Sequence, residues 1–199
     1  MKEYRVAERG YLPKIVMAIC LTVSGSIALA QTPPNSAIPK STDVLPMDGP
    51  LKAELTDQSF AENAMAIGLA VLEMSKLAKT KSSNKEIAQF ADAAIREHTV
   101  TNDKLRNVAK EINLKLPMSL QASQQIIVQQ LKSQSGKEFD LTYTELMKRE
   151  HDTEAGMFDK AAGETNLNPK LKAFAADRAN TLGKIQQRAH ALSDIWNKR

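Results

Sequence analysis

Residues 57–79 read Asp57-Gln58-Ser59-Phe60-Ala61-Glu62-Asn63-Ala64-Met65-Ala66-Ile67-Gly68-Leu69-Ala70-Val71-Leu72-Glu73-Met74-Ser75-Lys76-Leu77-Ala78-Lys79. Apolar side chains at Phe60, Ala64, Ile67, Val71, Met74 and Ala78 recur at spacings of four and three, the period of a helix with one apolar face. Leu69, Leu72 and Leu77 broaden that face. Thr56 or Asp57 is placed to cap its first turn. The same periodicity continues downstream. Ile87, Phe90, Ala91, Ala94, His98, Leu105, Val108 and Ile112 mark a second helix, opened by the capping-box pattern Ser83-Asn84-Lys85-Glu86. A shorter helix from about Ser119 to Gln134 carries Leu120, Ile126, Ile127 and Leu131. A second capping-box pattern, Ser135-Gly136-Lys137-Glu138, starts a helix through Phe139, Tyr143, Met147, His151, Glu154, Phe158 and Ala161. Asn168 and Pro169 then open a last helix bearing Leu171, Phe174, Ala175, Arg178, Leu182, Ile185, Ala189, Leu192 and Trp196.

Four long amphipathic helices are unstable singly in water and bury all their faces by packing side by side. The expected fold is therefore all-α: an antiparallel four-helix bundle with short connections and one short additional helix. Composition agrees, with 42% hydrophobic, 25% charged and only 5% aromatic residues. Runs of β-branched residues of strand length are nearly absent beyond the first thirty positions.

Upstream the chain is organised differently. Lys2, Arg5, Arg9 and Lys14 precede an uncharged apolar stretch from Ile15 to Ala30, which ends in the small-x-small signal Ala28-Leu29-Ala30. At about 16 residues it is short for a bilayer span, and it fits a cleaved signal peptide. An uncleaved anchor is the alternative. Cys20 lies within the apolar stretch, preceded by Ala18-Ile19, which is not a lipid-attachment site. Cleavage near Ala30 leaves a mature chain without cysteine, so no disulfide can contribute to its stability. Pro33, Pro34, Pro39, Pro46 and Pro50 then make residues 31–55 a disordered spacer. The organisation is thus 1–30 signal peptide, 31–55 Pro-rich spacer, 56–199 helical bundle. The expected location is the periplasm, or an outer-membrane association, after Sec export.

The formal net charge is +4. The first thirty residues account for +2 of it, and signs are interspersed beyond them, as in Lys148-Arg149-Glu150. A nucleic-acid binder would cluster its Lys and Arg on one face, so that class is set aside. No thiol nucleophile, glycine-rich phosphate loop or serine elbow is present in the mature chain. Mixed-sign polar faces also speak against a lipid-surface helix.

The remaining candidates for chemistry are inward-facing polar residues. His98 stands seven residues after Ala91 and seven before Leu105; His151 stands four after Met147 and seven before Phe158. Glu154 follows His151 by one turn, and Glu73 flanks the first stripe. Imidazoles and carboxylates projecting into a bundle core are the donors of a carboxylate–histidine metal site. Glu73, His98, His151 and Glu154 are the candidate ligands, for iron, manganese or zinc. The competing reading is a histidine satisfied by a carboxylate that fixes helix register with no ion. No Glu-x-x-His pair is present: Ile95 and Lys148 stand three residues before the two histidines. His190 sits at the edge of the last stripe, as a surface residue.

Ala70-Val71-Leu72-Glu73-Met74-Ser75-Lys76-Leu77-Ala78, Phe90-Ala91, Glu97-His98-Thr99 with Asn102 and Leu105, Phe139-Asp140, Tyr143, His151, Phe158, Leu171-Lys172-Ala173-Phe174-Ala175-Ala176 and Thr181-Leu182 occur in this order. From about Ser59 to Leu192 the chain resembles the exported bacterial family called domain of unknown function 4142. The resemblance implies a ferritin-like bundle in the envelope, with no assigned reaction, and a shared Glu73, His98, His151 set. It also implies a histidine in a Thr-Leu-x-x-His run, where this chain has Ile185. The functional expectation is a periplasmic or envelope bundle of non-catalytic or unknown activity, such as a stress or interaction module meeting a protein or envelope partner. The alternative is a ferritin-like metal-binding protein; a lipid or outer-membrane adaptor is a third class.

Overall fold

The computed structural model describes residues 55–198. The expected signal peptide, its expected cleavage near Ala30 and the expected spacer as far as residue 54 lie outside the described residues. Among these, five helices account for almost the whole chain: α1 (Asp57–Lys81), α2 (Lys85–Glu111), α3 (Ala122–Ser133), α4 (Gly136–Gly163) and α5 (Pro169–Asn197).

Each helix begins where its sequence can satisfy orphan backbone donors. At α1, Thr56 Oγ1 accepts from Ser59 N at 3.2 Å and Ser59 Oγ accepts from Thr56 N at 2.9 Å. At α2 the cap is Asn84, not Ser83: its Oδ1 accepts from the backbone of both Glu86 and Ile87. The single carboxamide oxygen serves two donors of the first turn, and the helix starts a residue later than the box predicts. Ser135 precedes α4 without a side-chain capping bond. Gly136 there has φ +56°, a left-handed entry incompatible with the helical turn that a capping box requires. Asn168 Oδ1 accepts from Lys170 N, and Pro169 takes the first turn as expected.

Side-chain contacts fix the directions of the helices. Ser75 meets Tyr143 near one end and Phe60 meets Phe158 near the other, so α1 and α4 are antiparallel. Lys170–Glu111 and Lys104–Asp177 make α2 and α5 antiparallel. Phe90 with Tyr143 and His98 with His151 step in the same sense, so α2 and α4 are parallel across the bundle diagonal. The link between them is consequently not short. Gln58 holds the carbonyl of Lys115 at the end where α2 finishes, and Lys81 holds that of Lys132 at the end where α4 begins. Residues 112–135, with α3 inside them, therefore traverse the length of the bundle, and only the α1–α2 and α4–α5 links are short.

The predicted stripes of α1, α4 and α5 are buried, although Leu69, Leu72 and Leu77, which broaden the face of α1, are only partly so. Of the second stripe, Val108 in α2 and Ile112 at its C-cap are only partly buried, and in α3 Ile126 is exposed. Two aromatic groups close the core at its ends. Phe60, Phe158 and Phe174 meet edge to face at one end, and Phe90, Tyr143 and Phe139 pack at the other. The polar residues of interest lie between them.

Candidate metal centre

His98 projects from the middle of α2, His151 and Glu154 from α4, and Arg178 from α5. All four are buried, the two histidines completely. One ligand atom from each of His98, His151 and Glu154 lies within 4.8 Å of the others. His98 Nε2 is 3.5 Å from His151 Nε2 and 3.7 Å from Glu154 Oε2. Neighbouring donors on a tetrahedral ion with bonds of 2.0–2.1 Å stand about 3.3–3.4 Å apart, and the two separations from His98 Nε2 are close to that spacing.

The histidine tautomers bear on the same question. His151 Nδ1 lies 2.7 Å from the carbonyl of Met147, an acceptor, so Nδ1 carries the proton and donates it. Its Nε2 lone pair therefore faces the cluster. A backbone carbonyl orienting an imidazole through its far nitrogen is the usual support for a ligating histidine. Phe90 packs edge-on to the same ring. Nδ1 of His98, on the side of the ring away from the cluster, is buried with no hydrogen-bond partner among the described residues, and an ion held at Nε2 would not satisfy it.

Both imidazoles are held neutral. Burial drives His98 from 6.5 down to about 4, against the opposing influence of Glu154, with His151 and Arg178 pushing the same way as burial. His151 is lowered too, chiefly by burial, although Glu154 and the Met147 carbonyl oppose the shift. Burial acts to raise Glu154, but its interactions with His98 and with Arg178, including the Arg178 hydrogen bonds, hold it below the usual carboxylate range. Arg178 grips it as a fork, with Nε to Oε1 at 2.9 Å and Nη2 to Oε2 at 3.2 Å. The third arm, Nη1, reaches Glu97 Oε2 at 3.4 Å. The centre thus has two neutral nitrogen donors and one carboxylate already matched by a guanidinium.

Of the four residues singled out in the sequence, the fold brings His98, His151 and Glu154 together. Glu73 stands apart, its side chain 46% exposed and paired with Lys76: it lies on the flank of α1's stripe, where a long side chain reaches solvent. Ile185, at the position of the family's further histidine, is buried in the apolar core. His190 is half-exposed, as expected of a surface residue, and pairs with Asp152. Arg178 and Glu97 are the participants that sequence reasoning gave no role, although an arginine within an apolar stripe demands a buried partner.

No curated protein matches the chain. A solved structure described as "CopM in the Cu(II)-bound form" is similar over 72% of this chain and 99% of its own, at 17% identity and a TM-score of 0.57. That likeness is one of fold. Residues 44–192 match the family described as "Domain of unknown function (DUF4142)", and the chain belongs to that family.

Proposed function

We propose that this protein is an exported envelope bundle that binds one transition-metal ion between His98, His151 and Glu154, without turnover. The observation that carries the reading is the convergence of three buried donor atoms from α2 and α4 within 4.8 Å. Two imidazoles and a carboxylate are borderline donors, and at such a set Cu(II) and Zn(II) rank above Fe(II) and Mn(II). The single long crossover is the connectivity of ferritin-like bundles, which supports that part of the family resemblance. The Cu(II) of the similar structure belongs to that structure and does not choose the ion here. No helix among the described residues is long and apolar enough to cross a membrane, which is compatible with a released periplasmic domain.

Titration of the metal-stripped chain beginning at Gln31 with Zn(II) and with Cu(II) tests the reading. One ion per chain is expected, with affinity reduced at least tenfold in His98→Ala and His151→Ala. Absence of stoichiometric binding would overturn it. A second reading has its own support: the Arg178–Glu154 fork is a closed ion pair, and such a pair can fix helix register with no ion. Under that reading the same titration is flat.

A further inference from the structure

Arg178 joins the buried cluster to the surface. The guanidinium sits between the buried cluster and a groove of roughly 250 Å³ between α2 and α5, lined by Glu97, Lys104, Asp177 and Arg178 among others. Inward it forks onto Glu154; outward it touches Glu97, whose side chain is 39% exposed. The Lys104–Asp177 pair joins the two helices beside the same groove.

We infer that Arg178 is a built-in competitor for the cation: it balances Glu154 in the ion-free bundle and must shift outward onto Glu97 before Glu154 can ligate. The inference rests on the metal reading above. Three observations carry it. Both carboxylate oxygens of Glu154 are already engaged by Arg178. A cation bound at Oε2 would stand beside a guanidinium in a poorly screened interior, where like charges repel strongly. Glu97 offers the displaced guanidinium a second carboxylate without a change of helix position, because Nη1 already reaches it. The α2–α5 groove is then the route by which the ion enters. Arg178 and Glu97 are positioning residues that set affinity and loading rate, and neither is a ligand.

The test compares Zn(II) binding to the chain beginning at Gln31, as wild type, Arg178→Gln and Glu97→Gln, by equilibrium titration and stopped-flow loading. Arg178→Gln is expected to bind zinc at least tenfold more tightly and to load faster. A residue with a purely structural role would weaken binding when replaced. Glu97→Gln, at a part-exposed position that does not threaten the fold, is expected to load at least threefold more slowly. Should Arg178→Gln fail to fold, Arg178→Lys replaces the fork by a single donor, and an intermediate tightening is expected. Zinc binding to the wild type that is unchanged or weakened in the Arg178 variant, or a loading rate unchanged in Glu97→Gln, overturns this inference alone. No zinc binding by any of the proteins overturns the metal reading with it.

Discussion

Asn102 occupies the space that a side chain at position 68 would need: a Cβ on Gly68 would stand 2.0 Å from Asn102 Oδ1 and 2.8 Å from its Cγ. The carboxamide of α2 thus rests against the bare backbone of α1, one turn beyond His98. Alanine in place of glycine ordinarily favours a helix by about 1 kcal/mol. At this position the gain is outweighed, because the Asn102 carboxamide that must give way is itself buried, at 1% exposure. Gly68→Ala is expected to destabilise the bundle by about 1–3 kcal/mol, the range for overpacked cores. Gly68→Ala with Asn102→Ala should recover at least half of that in urea unfolding. Equal stability of Gly68→Ala and wild type would show that the contact yields freely.

The two glutamates singled out in the sequence should respond oppositely to neutralisation. Glu154 is buried against Arg178, so Glu154→Gln leaves a guanidinium in the core with only Glu97 nearby, and a loss of about 3–5 kcal/mol is expected. Glu73 holds Lys76 on the surface at 2.7 Å, and exposed pairs contribute about 0–1 kcal/mol. Glu73→Gln should therefore leave the unfolding midpoint nearly unchanged and should not alter metal binding. A stability loss in Glu73→Gln matching that of Glu154→Gln would contradict the assignment.

The buried histidines make the fold sensitive to mild acid. In the unfolded chain an imidazole takes its proton near 6.5, whereas burial keeps His98 neutral down to about 4 and lowers His151 as well. Within that window the unfolded state binds more protons than the folded one, so stability falls as pH falls and is fully present above 6.5. Each proton of difference is worth roughly 1.4 kcal/mol per pH unit. Urea midpoints at pH 7.5, 6 and 5 should decline in that order, with a shallower decline in His98→Gln. Stability that is level or rising toward pH 5 contradicts neutral burial. Glu154 adds its own dependence only at lower pH, because its pKa is depressed.

How much of this was legible differs by element. The α1, α4 and α5 stripes followed from spacing alone, because a bundle helix has one face to hide and every third or fourth residue must serve it. His98, His151 and Glu154 were found by the same spacing, as polar residues at core positions. Glu73 could not be resolved this way: a flank position is buried or exposed according to which neighbour covers it, and that is decided by tertiary packing. The crossover was hidden for a related reason. Periodicity gives the helices but not their directions, and the short α3 segment reads alike as a turn at one end or a strap along the bundle. Arg178 was visible as a cation inside an apolar stripe, yet its partner lies 24 residues away on α4, a pairing that spacing on a single helix does not report. At Ser83 and Ser135 the capping-box pattern failed locally, displaced in one case by the competing Asn84 and in the other by the left-handed Gly136.

Asp152 supplies the last test, on the outer face of α4. Its carboxylate collects His190 Nε2 at 2.5 Å, Gln186 Nε2 at 2.8 Å and Lys148 Nζ at 3.0 Å, tying α4 to α5. Its partial burial acts to raise the pKa, but the bonds from His190, Gln186 and Lys148 outweigh it and take the carboxyl down to about 2. A depressed carboxyl stabilises the fold above its unfolded pKa, near 3.8, and that contribution disappears as pH falls toward 2. The side chain is 35% exposed and solvent screens it, so Asp152→Asn at pH 7 should cost no more than about 1 kcal/mol. The difference from wild type should shrink in unfolding measured below pH 3 and in high salt. A loss as large as that of Glu154→Gln, or one insensitive to both, would mean that Asp152 acts through packing and not through its charge.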